Sequence, residues 1–231
     1  MGLKFSGRRA LLAAALLSGG TALAPATSQA EVPPPNKCWW TTGELRWTDV
    51  GLTGRDLWTA AAAASSWSSA PGSKIKLTYE TEAESATTFA NIKVAVLDLQ
   101  GWPYYLPQGV HGFTDYGQDP ITGVGGNCDA NRHYTRQVRV LLDTQSVASF
   151  DAYMEQYTMS HEFGHAIGLA HTTATFGYCP NYGPPEPVSI MYYQGPMSTP
   201  GHPCGPDLPT PDDLGAANAL YQPSCPIPCS C

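Results

Sequence analysis

His161-Glu162-Phe163-Gly164-His165-Ala166-Ile167-Gly168-Leu169-Ala170-His171 gathers three of the chain's six histidines into one short run. On a helix, His161 and His165 stand one turn apart and project from the same face. Two imidazoles so placed can bind one zinc ion, at about 2.0–2.1 Å each. Glu162 is one residue further along, off that line, where it can take a proton from a water on the metal. Gly168 tolerates the left-handed backbone that ends a helix, so the chain can turn there and bring His171 round as a third ligand. Three histidines leave the fourth position to water, as in a catalytic rather than a closed structural site.

The run sits near the end of a predicted helix over residues 150–169. Before it, residues 45–50 read as a first strand. Thr53 opens a helix that runs to about Ser69 through the alanine block 60–64 and stops at Pro71-Gly72. Ile75, Leu77 and Tyr79 alternate with polar residues, as in a half-buried strand. Further strands are expected at 92–99, 109–114 (a short edge strand) and 138–142. After the run, residues 172–208 are rich in Gly and Pro. A last helix then has Thr210 as cap, Pro211 at its first position and Asp212 and Asp213 at the positive end of its dipole; it runs to about Tyr221. This order implies an α+β domain.

The ends of the chain carry different signals. Residues 1–30 read as a secretory signal peptide: Lys4, Arg8 and Arg9 precede the apolar run 10–17, and Ser28-Gln29-Ala30 is a small-x-small cleavage site. That run is far short of the roughly 20 residues of a membrane span. Residues 31–38 form a Pro-rich lead, 39–222 the expected catalytic domain, and 223–231 a Cys-rich tail. Cleavage removes three cations and no acid, moving the net charge from −7 to −10. So acidic a chain lacks the cations that phosphate binding needs, which argues against nucleic acid as a partner. Seven cysteines in an exported chain favour disulfides, and an odd number leaves one unpaired or paired with another molecule.

HEFGHAIGLAH resembles the HExxHxxGxxH signature of the metzincin zinc metallopeptidases, and Gly168-Leu169 with Thr172 is most similar to the matrixin branch. The resemblance covers roughly residues 39–222. It implies a metzincin-type fold, with a mixed twisted sheet, an active-site helix and a C-terminal helix. It also implies one catalytic zinc on His161, His165 and His171, and Glu162 as general base. Ser189-Ile190-Met191-Tyr192 resembles the Met-turn of these enzymes, with Met191 as an apolar floor under the histidines. Ser-Ile-Met-Tyr-Tyr is similar to the astacin and serralysin version, which gives Tyr193 a role as zinc ligand or oxyanion donor. Pro211-Asp212-Asp213-Leu214 resembles the start of the last matrixin helix.

Three departures from the matrixin pattern matter. Matrixins hold a second, structural zinc; His111 with Asp115 could echo part of it, but Arg139 and Val140 stand where a histidine is expected, and no second zinc or calcium is predicted. Cys179 and Cys204 flank the Met-turn, which is similar to the snapalysins; a bridge between them would close a loop across it, and the disulfide connectivity stays open. No sizeable propeptide is seen; Cys38 could act as a latency thiol on the zinc, although a disulfide is the preferred place for it. The expectation is a secreted, monomeric zinc endopeptidase acting on protein or peptide substrates, away from membranes once the signal is removed. The alternatives are a hydrolase of cell-wall peptides and a non-catalytic zinc-binding adhesion or toxin-like module, which would have no use for Glu162.

Overall fold

The computed structural model describes residues 38–99, 110–117, 128, 129, 131, 133–171, 189–191 and 208–221. The expected signal peptide, the cysteine tail, Tyr193, Cys179 and Cys204 lie outside these residues.

Among the described residues five strands form one sheet: β1 (Glu44–Asp49), β2 (Lys76–Tyr79), β3 (Ile92–Leu97), β4 (Gly112–Asp115) and β5 (Val138–Asp143). Their spatial order is β2-β1-β3-β5-β4. The first four in that order are mutually parallel, and β4 runs antiparallel to β5 along the edge. The fold is therefore a mixed α+β domain built on a mostly parallel sheet, as expected.

Among the described residues five helices accompany the sheet: α1 (Gly54–Ser69), α2 (Glu82–Thr88), α3 (Thr144–Ser149), α4 (Ala152–Ala166) and α5 (Pro211–Leu220). Helices α1 and α4 pack on each other, α1 also touching β2 and α4 touching β4 and β5. The main core lies between these helices and one sheet face, with Ile92 and Val94 of β3 and Val138, Val140 and Leu142 of β5 pointing into it. Strand alternation sends the intervening residues to the other face, where Ala95, Leu99 and Leu141 cluster with Leu97 and Phe113.

A charged clamp joins α1 to α4. Glu155 is fully buried, and its carboxylate meets Arg55 Nε at 2.7 Å and accepts from the Thr59 hydroxyl at 2.6 Å. Burial pushes the Glu155 carboxyl above its ordinary value, and the Thr59 and Arg55 contacts partly offset this. Arg55 also donates to the carbonyls of Val147 and Phe150, fixing the chain just before α4.

Several expectations need correction. The helix expected at 150–169 is α4 alone, Ala152–Ala166 and capped by Asp151, and a short helix that was not expected, α3 capped by Asp143, precedes it. Both aspartates accept from the N–H three residues on, which restarts the helix after Phe150. Helix α2 was not expected, although Thr81 and Glu84 form a reciprocal capping box that is legible as T-x-x-E. The edge strand lies at Gly112–Asp115, not 109–114. Tyr79 is exposed, in contrast to Ile75 and Leu77, and its hydroxyl donates to Asp49 at 2.7 Å. Cys38 is bridged to Cys128, which removes it as a latency thiol.

Candidate metal centre

From Tyr157 to its end, α4 is buried, because sheet and α1 enclose it. Trp67 of α1 is fully buried and donates from Nε1 to Ser160 O at 2.9 Å, one residue before the first histidine of the run. Phe163 meets the Trp47 ring edge-on at 5.8 Å on the sheet side. The helix is thus held on both sides at the level where His161 and His165 leave it.

The turn after α4 is set by backbone bonds. Gly168 N–H donates to His165 O at 2.9 Å and Leu169 N–H to Gly164 O at 3.0 Å, the paired bonds of a Schellman ending. Gly168 has φ +106°, a conformation that L side chains rarely adopt. A Cβ there would also meet Trp39 Cβ at 2.7 Å and Cys38 O at 2.9 Å. The segment 38–40, tied by the Cys38–Cys128 bridge, therefore packs directly on the turn. Aromatic donors cover the carbonyls that the helix end leaves open: Trp40 Nε1 reaches Ala166 O at 2.9 Å and the Tyr221 hydroxyl reaches Ile167 O at 2.5 Å.

That turn delivers His171 to the other two rings. Its Nε2 lies 3.1 Å from His161 Nε2 and 3.0 Å from His165 Nε2. The opposite nitrogens are anchored: His161 Nδ1 donates to Ile190 O at 2.7 Å and His165 Nδ1 to Leu169 O at 2.8 Å. A proton on Nδ1 leaves the Nε2 lone pair as the donor to a metal, and the carbonyl bond fixes the ring's aim. Two nitrogens about 2.05 Å from one tetrahedral ion sit about 3.3 Å apart, so the observed spacing is a few tenths of an ångström tighter. His161 and His165 are buried and His171 is exposed, which leaves the cluster open on one side. These three histidines can hold a metal ion; among the described residues they are the one group of three or more ligating side chains brought close enough to do so.

Beneath the helix, Met191 is buried against Gly164. Its turn is held by Asp213 of α5, a residue read from the sequence only as a helix-dipole charge. The Asp213 carboxylate accepts from Ile190 N–H at 3.0 Å, from the Ser189 hydroxyl, and from Thr210 N–H and Oγ1 at 2.9 and 2.8 Å. One residue thus links α5 to the cluster: Ile190 N–H meets Asp213 while Ile190 O accepts from His161.

Glu162, next to His161 on α4, is buried and accepts from the Thr114 hydroxyl of β4 at 2.6 Å. The sequence offered no sign of this partner, which lies 48 residues away. His111 and Asp115, read from the sequence as an echo of part of a second zinc site, have other partners. Asp115 forms an ion pair with Arg139, and His111 Nδ1 lies 2.9 Å from the Ser146 hydroxyl. His133 pairs with Asp129 at 3.5 Å and meets Trp39 edge-on.

No protein-family model matches the chain, and no curated protein matches it. Among solved structures it is similar to one of myroilysin at 16% identity and a TM-score of 0.46, over 84% of this chain and 99% of that one. A second myroilysin structure is similar at 16% identity and a TM-score of 0.41, over 84% and 89% of the two chains.

Proposed function

We propose that this chain is a secreted zinc-dependent endopeptidase of the metzincin type, in which His161, His165 and His171 hold the ion and Glu162 is the general base. The observation that carries the reading is the convergence of three imidazoles on one point, two of them anchored through Nδ1, with a buried carboxylate at the position after His161 on the same helix. An all-imidazole set suits zinc better than the hard cations calcium or magnesium, which take oxygen ligands. A bound zinc ion supplies a Lewis acid that lowers the pKa of a coordinated water to about 7 and polarises a carbonyl.

The chain's own residues supply the rest. Glu162 accepts the proton of the attacking water and returns it to the leaving amine. Tyr193, two residues past Met191, is assigned as the donor to the carbonyl oxygen that turns negative as water adds. Among the described residues β4 lies at the edge of the sheet, so a peptide substrate can lie along it by strand addition.

The test uses purified mature protein and a peptide library. Cleavage is expected to stop with 1,10-phenanthroline and to return with zinc. Glu162→Gln is expected to retain one zinc per chain while kcat falls by about 10²–10⁴-fold. Cleavage that survives chelation, or wild-type turnover in Glu162→Gln, would remove the metal or the base from the reading.

A further inference from the structure

We propose that Gly112 and Thr114 of the edge strand form a clamp that sets the position of the Glu162 carboxylate, with Thr114 as a positioning residue for proton transfer. The assignment rests on Glu162 being the general base. Alternate residues of a strand share a face. Phe113 packs with the cluster on the far side of the sheet, and Asp115 pairs there with Arg139, so Gly112 and Thr114 face α4.

Both positions meet Glu162. Thr114 is 3% exposed, and its hydroxyl oxygen lies 2.6 Å from Glu162 Oε2 and 2.9 Å from Glu162 O. A hydroxyl has one proton to give; the shorter contact, to a charged acceptor, is the stronger one. At Gly112, a Cβ would stand 2.9 Å from Glu162 Cγ, 3.0 Å from Glu162 Oε1 and 2.9 Å from Thr158 Cγ2. The missing side chain leaves the trough in which the Glu162 stem lies, and the hydroxyl two residues on fixes the plane of its carboxylate.

A glutamate has three side-chain torsions, and a base that wanders by an ångström loses rate. Glycine on one side and a hydroxyl on the other remove that freedom without touching the metal. The strand that would receive the substrate is thus also the strand that holds the base, which ties substrate register to the proton acceptor.

The experiment compares wild type, Thr114→Val, which keeps the shape and loses the hydroxyl, and Thr114→Ser, which keeps the hydroxyl. Five quantities are measured on zinc-loaded protein: zinc per chain, unfolding midpoint, kcat and KM on a cleaved peptide, and the Kd of acetohydroxamate, whose N–O–H proton is taken by a carboxylate beside the metal. Thr114→Val is expected to keep its zinc, lose about 10–100-fold in kcat with KM within about twofold, and bind acetohydroxamate about tenfold more weakly. Thr114→Ser is expected to recover most of each loss. Wild-type kcat and acetohydroxamate affinity in Thr114→Val overturn the clamp, as does equal impairment of both variants or a loss that follows zinc content. A wild-type chain that binds zinc and acetohydroxamate but cleaves no peptide overturns the endopeptidase reading instead, and the ratio of acetohydroxamate affinities still decides the clamp.

Discussion

Gly164 of α4 and Met191 are packed so closely that a Cβ at position 164 would lie 2.2 Å from Met191 Sδ and 3.0 Å from Trp67 Cζ2. Met191 is the flexible partner, but it is buried, and the indole behind it is rigid and fully enclosed. Gly164→Ala is therefore expected to destabilise the fold by about 1–3 kcal/mol through overpacking. Because Ile190, beside Met191, orients His161, zinc should also dissociate faster. Urea unfolding and chelator-driven zinc release check both effects. The double variant Gly164→Ala/Met191→Ala should lose less than the sum of the singles, since the second change vacates the space the first invades.

Asp213 is expected to control the cluster from outside it. Asp213→Asn puts an NH2 group among N–H and O–H donors that need an acceptor. A loss of about 1.5–3 kcal/mol is expected, the worth of a hydrogen bond to a charged group. Zinc retention at fixed temperature should fall with it, because the Ile190 backbone then loses one of its two anchors. Unchanged zinc off-rates in a folded Asp213→Asn protein would separate α5 from the metal centre.

Tyr221 gives the protein an alkaline weakness. Burial holds its phenol well above the ordinary value of about 10. The folded chain therefore keeps a proton that the unfolded chain gives up, so stability falls as pH rises past about 10. Tyr221→Phe should flatten part of that slope. At neutral pH it should cost about 1–3 kcal/mol by leaving Ile167 O without its donor. Unfolding curves from pH 7 to 11 test the sign.

The Cys38–Cys128 bridge closes a loop of sequence separation 90 and holds segment 38–40 against the Gly168 turn. Cys38→Ala/Cys128→Ala is expected to lower stability by about 2–5 kcal/mol. It should also raise amide exchange at Gly168 and Leu169 ahead of the sheet strands. Hydrogen-exchange mass spectrometry of the two proteins checks the local effect, and calorimetry the global one.

The α4 run was legible because helix period and glycine chemistry act locally. A separation of four residues places His161 and His165 on one face, and Gly168 is the residue that a left-handed helix ending calls for. The start of α5 was equally readable, with Thr210 capping and Pro211 at the first position. Helix α2 carried a readable capping box at Thr81 and Glu84 that the strand and loop pattern around it obscured. Helix α3, ahead of the expected helix, rested on Asp143, whose capping role depends on where the helix begins rather than on apolar period.

The linear order of residues was enough for the α+β class, the ligand-bearing helix and its closing turn, since each depends on neighbours within a few positions. The aim of the rings, the seat of Glu162 and the floor at Met191 belong to folding in three dimensions. They come from Ile190, Asp213, Thr114, Gly112 and Trp40, which lie tens of residues from what they touch. Backbone periodicity falls silent at such distances: packing of α4 between α1 and the sheet brings these partners together, and only close approach lets a hydroxyl, a carboxylate or a missing side chain act on the site.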